Sequence, residues 1–151
     1  MKYVAVKHQP DNEMAYWFEV PQGLENVVSV GKDVICNTKH GDMPGRIVSI
    51  IDSVPLSEAT RIIGNRFPLK NVIAVAMEFE LSEIYVPWDI ERILVHPTEI
   101  AARVDELYEH GGFKVPISFS SDGRLVEGYS AYLVAKMFEH ETLKGYCVSS
   151  Q

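Results

Sequence analysis

Residues 2–79 read as short runs of β-branched and aromatic residues, each closed within a few positions by glycine, proline, asparagine or aspartate, and this punctuation limits the fold most. "KYVAVKH" (2–8) alternates and is followed by the turn "PDNE". "MAYWFEVP" (14–21) stops at Pro21. "SVGKDVICNT" (29–38) leaves a Gly31-Lys32-Asp33 turn, and "KHGDMPG" (39–45), with two glycines and a proline, reads as a loop. "RIVSIIDSV" (46–54) and "LKNVIAVAMEFEL" (69–81) complete five strands. The one helical stretch, "LSEATRIIG" (56–64), offers Ser57 as N-cap and Gly64 just past its end. Five short strands with tight turns and one small helix are expected to curl into a small antiparallel β-barrel.

Near Glu80 the pattern changes. "SEIYVPWDIERILVHP" (82–97) reads as extended and is interrupted by two prolines. "TEIAARVDELYEHG" (98–111) has apolar residues at 100, 104 and 107 and Gly111 at the C-cap position, an amphipathic helix. "KVPISFSSDGRLVEG" (114–128) is two strands about a Ser-Asp-Gly turn, "YSAYLVAKMFEHE" (129–141) a helix, and "LKGYCVS" (143–149) a last strand. The chain is therefore read as α+β, with units at 1–79 and 80–151. No Gly/Ser linker separates them.

Net charge is −7. Residues 1–79 carry eight Lys/Arg against nine Asp/Glu, a balance of −1; residues 80–151 carry six against twelve, a balance of −6. A broad face for duplex phosphates does not fit the acidic half, so any nucleic-acid contact is expected in the first. There Tyr16 and Trp17 begin an aromatic strand, and Lys39, His40 and Arg46 flank the "GDMPG" loop. Alternation puts Trp17 on the face opposite Tyr16 and Phe18, so one face is core and the other is left to stack a base or, as the favoured expectation, to bury against the second half. No apolar stretch is long enough to span a membrane and the first residues lack a signal-peptide block, so a cytoplasmic protein without membrane contact is expected. Cys36 and Cys147 form no CxxC and read as buried free thiols.

"VEGYSAYLVAK" (126–136) has a glycine between a strand and a helix start, the arrangement that presents helix N–H groups to an anion. Gly128, Tyr129 and Ser130 are the candidate phosphate-binding residues. The plainer alternative is a fold-specifying turn. Glu127 has no partner at catalytic spacing. Glu139, His140 and Glu141 are consecutive on a helix and point apart, so no catalytic residue, metal site or cofactor is assigned. His96 before Pro97 reads as a hydrogen-bonded structural histidine, with Asp89 and Glu91 nearby in sequence.

Two resemblances rest on these residues. The order "W-F-E-V-P…G-L…V-G-K-D-V…G-R-I-V-S-I…L-K-N-V-I-A-V", spread over residues 17–76, resembles the N-terminal barrel of the PriA helicase family. It implies a pocket for the 3′ end of a DNA strand at an aromatic–aspartate pair, which falls on Tyr16-Trp17, where no aspartate stands. Residues 83–148 resemble the ParB N-terminal and sulfiredoxin group through "I-E-R-I-L-V-H-P", "V-P-I-S-F" and "D-G-R-L-V-E-G-Y". It implies nucleotide phosphates held at Gly128, but Ala131 stands at an arginine position, and the cysteine that sulfiredoxin requires is absent. Together they imply a non-catalytic accessory protein of replication, partition or a mobile element that binds single-stranded DNA ends or a protein partner. The alternatives are a ParB-like nucleotide-binding enzyme (CTP/ATP hydrolase, kinase or nuclease) and an acidic protein adaptor or inhibitor.

Overall fold

The computed structural model of the chain describes residues 2–11, 13–64 and 69–149, which form a mixed α+β structure with eight strands and four α-helices. Two compact units emerge, Met1–Ala76 with Cys147–Gln151, and Met77–Tyr146. The division falls within a continuous strand, so no linker composition marks it.

In the first unit the strands are β1 (Lys2–Lys7), β2 (Tyr16–Val20), β3 (Asp33–Thr38), β4 (Gly41–Asp52) and the start of β5 (Val72–Glu80). Their order is β2-β1-β4-β3-β5, and the neighbouring pairs are antiparallel. A parallel bridge between Glu19 and Asn71, with the Glu19 amide donating to the Lys70 carbonyl at 2.9 Å, brings the two ends of this order together. Strand β1 is buried on both faces. Tyr3 packs with Ala59 and Ile63 of helix α1 (Leu56–Ile63), beside Trp17, Ile51, Val54 and Leu69, while Val4 and Val6 are also fully buried. Each such apolar side chain contributes roughly 1.5–3 kcal/mol by leaving water.

Residues 39–45 are not the expected loop. Only Lys39 and His40 turn the chain; Gly41–Gly45 lie in β4 and pair with β3. Pro44 is tolerated because this part of β4 has β3 alone as a ladder neighbour, pairing with β1 beginning at Arg46. Gly45 is required by close approach, since a Cβ there would lie 2.4 Å from Val6 Cγ1. Helix α1 also starts earlier than Ser57: its N-cap is Pro55, which has no side chain to cap with.

The second unit contains β6 (Ser118–Phe119), β7 (Leu125–Glu127), most of β8 (Thr142–Val148), and helices α2 (Trp88–Glu91), α3 (Pro97–His110) and α4 (Tyr129–Met137). Ile84, Ile117, Phe119, Leu125, Ala131, Ala135 and Leu143 form its core. The stretch read as extended, 82–97, contains the single-turn helix α2, started by Pro87, whose fixed φ suits the position before a first turn. His96 caps α3: its Nδ1 accepts from the Thr98 amide at 3.1 Å, and Gly111 ends the helix at φ 69°. Helix α4 ends in a paired cap. The Glu139 amide donates to the Lys136 carbonyl at 3.1 Å and the His140 amide to the Ala135 carbonyl at 2.9 Å, with Glu139 at φ 56° where glycine is usual.

Candidate nucleic-acid interface

At one end of the first unit the close of β1, the start of β2, the β3–β4 hairpin and the start of β5 converge. They surround a cleft of about 670 Å³ lined by His8, Gln9, Tyr16, Trp17, Phe18, Thr38, Lys39, His40, Met43, Leu69 and Lys70. The hairpin tip is held by the Thr38 hydroxyl, which donates to the Gly41 carbonyl at 2.7 Å and accepts from the His40 amide at 3.1 Å. That leaves Lys39 and His40 exposed.

Tyr16 and Phe18 share a strand face and divide its work. Phe18 enters the core, and Tyr16, one step nearer the strand end, is 42 % exposed. His8 links them, with its ring centroid 6.1 Å from Tyr16 and 5.7 Å from Phe18, the latter edge-on. Its Nδ1 is 2.9 Å from the Pro44 carbonyl and donates to it when protonated there. Trp17 lies on the opposite face, half-buried against Leu69 and the α1 cluster. Because the cleft caps the end of the strand rather than one face, residues from both faces line it.

Among the described residues the lining holds two lysines, two histidines and no carboxylate, in a chain of net charge −7. Among the described residues neither Lys39 nor Lys70 is in an ion pair. Thus four of the five residues singled out in the first half, Tyr16, Trp17, Lys39 and His40, meet in one place. Arg46 does not join them: its Nε donates to Asp33 Oδ1 at 3.0 Å across the β3–β4 ladder. Sequence reasoning missed His8, Met43 and Lys70. Lys70 was visible within the "L-K-N-V" run but was read as part of the fifth strand and not as a site residue. The surrounding chemistry is suited to holding a planar group and an anion. Burial pushes the nearby Cys36 thiol up to about 12, so it is held neutral.

In the second unit, Gly128 adopts φ 97°, and a Cβ there would meet Ile117 Cγ1 at 2.9 Å and the Pro116 carbonyl at 3.0 Å. The missing side chain would point into protein. Ser130 is buried and Ala131 is completely so, in the core cluster. The Tyr129 ring stacks on Tyr132 with centroids 6.3 Å apart, and its hydroxyl lies 3.4 Å from the Glu91 carbonyl. Glu127, Glu139, His140 and Glu141 are all exposed. Among the described residues no three His, Cys, Asp or Glu side chains are gathered as metal ligands would be, and no helix is long and apolar enough to cross a membrane.

Comparison of the chain with protein-family models, curated proteins and solved structures found no match.

Proposed function

We propose that this chain is a non-catalytic accessory protein of DNA metabolism and that the cleft of its first unit binds single-stranded DNA, ends included. On this reading the first unit is a small barrel of the PriA N-terminal kind, a reading that the Glu19–Asn71 bridge supports, and the second is ParB-like in fold, with its Gly128 turn serving packing. One observation carries the proposal: the cleft, without a carboxylate among the described residues, brings Tyr16, Trp17, His8 and His40 together with Lys39 and Lys70. Aromatic rings supply stacking, worth about 1–3 kcal/mol per base without regard to sequence. Two lysines supply phosphate neutralisation. With about two cations engaged, log affinity should fall against log salt with a slope of roughly −1 to −2.

The test is fluorescence anisotropy of labelled single strands titrated with the full chain over a range of salt. Binding with that shallow slope, weakened by Tyr16→Ala and by Lys39→Ala, supports the reading. Absence of binding, a much steeper slope, or binding indifferent to both substitutions refutes it.

A further inference from the structure

The C-terminal ends of α3 and α4 come together in the second unit and expose an aromatic pair. The Tyr108 and Phe138 rings stand edge to face with centroids 6.2 Å apart. Tyr108 is 77 % exposed, Met137 64 % and Phe138 41 %. Exposed apolar side chains that touch one another, unlike ones scattered singly, are the kind of surface that marks a partner site. Asp105 and Glu109 are exposed on the last turns of α3 and Glu139 and Glu141 just beyond α4; the basic groups among them are Lys136, His140 and His110, whose Nε2 lies 3.8 Å from Glu109. Both helix ends add the partial negative charge of their free carbonyls.

The backbone points the same way. Glu139 occupies the left-handed cap position at φ 56°, a conformation that glycine adopts without strain and glutamate does not. The carboxylate next to Phe138 is therefore held at a cost in stability, which is the pattern of a residue kept for contact rather than for folding.

We infer that this surface docks a basic amphipathic segment of a protein partner, with apolar side chains seated on Tyr108, Met137 and Phe138 and Lys or Arg side chains meeting the acidic rim. Charge complementarity selects this occupant. A second copy would bring the same carboxylates against themselves, and a nucleic-acid strand would bring phosphates against them. The inference rests on the second unit alone and is separate from single-strand binding by the cleft.

A labelled peptide of about 18 residues, five helical turns, with leucine and lysine at amphipathic spacing tests it against the full chain, alongside a counterpart carrying glutamate for lysine. The lysine peptide should bind and the glutamate peptide should not. Tyr108→Ser and Phe138→Ser should each weaken binding at least tenfold. Glu139→Gly should weaken it several-fold while raising the melting temperature, so that its loss of binding cannot be ascribed to unfolding. No binding of the lysine peptide, equal binding of both peptides, or binding unchanged in Tyr108→Ser overturns the proposal. So does a dimer in light scattering that these substitutions dissociate, because the occupant is then a second copy.

Discussion

Replacing Gly128 by alanine separates two roles for the turn before α4. At φ 97° and ψ 31° an L-residue is strained by about 1–2 kcal/mol. The added methyl would also sit 2.9 Å from Ile117 Cγ1 and 3.0 Å from the Pro116 carbonyl. Ile117 belongs to the core of the second unit, so relief requires moving packed atoms, at roughly 1–3 kcal/mol. The expected total is about 2–5 kcal/mol, a fall in melting temperature of the order of 4–20 °C for a chain of this size. Urea denaturation followed by circular dichroism measures it, with no ligand present. A loss below about 0.5 kcal/mol, within the range of an ordinary surface change, would show that the position tolerates a side chain. Packing would then not explain the glycine, and an anion at the helix start would become the better explanation.

Four further outcomes are expected. Ala131→Arg places a guanidinium in the closed core, so it should destabilise by more than about 3 kcal/mol without improving nucleotide affinity by calorimetry; a folded variant with tighter CTP or ATP binding would contradict the assigned packing. In the cleft, Lys70→Ala should reduce the salt slope by about 0.7, whereas Arg46→Ala should leave it unchanged because Arg46 is engaged by Asp33. A Trp88→Phe chain, with Trp17 as its sole indole, should show fluorescence quenching when a single strand is added, and unchanged emission would place the strand elsewhere. Burial opposes ionisation of Glu106, but the Lys114 amide at 2.7 Å, Arg103 at 2.5 Å and the Val115 amide outweigh it and hold the carboxyl below its ordinary range. The stability this contributes is therefore full above about pH 4.3 and is lost as pH falls through the lower folded value. Glu106→Gln should reduce stability at pH 7 and flatten its decline in acid, and parallel wild-type and variant curves between pH 7 and 3 would exclude this.

Much of the candidate site could be anticipated from local chemistry. Strand periodicity placed Tyr16 and Trp17 on a strand, loop composition set Lys39 and His40 beside "GDMPG", and the charge imbalance directed attention to the first half. The hairpin itself was misjudged because "GDMPG" has loop composition. Gly45 is there for Val6 and Pro44 sits where β4 has a single ladder neighbour, and neither reason is visible without the strand paired alongside. Arg46 looked equivalent to Lys39 in sequence, and only the β3–β4 register showed that Asp33 occupies it.

The division follows from range. Residue identity by itself determined the features that act over a few positions: the short strands, the α3 helix with Gly111 at its end, and an acidic second half. Tertiary structure alone decided the features that need residues distant in sequence. It turned Gly128 toward Ile117 and sank Ala131 into a core. It also drew His8, Tyr16, Lys39 and Lys70 around one cleft through antiparallel pairing, and set Tyr108 beside Phe138 at the ends of two helices. Packing and strand register depend on which segments become neighbours, and no window of sequence contains both partners.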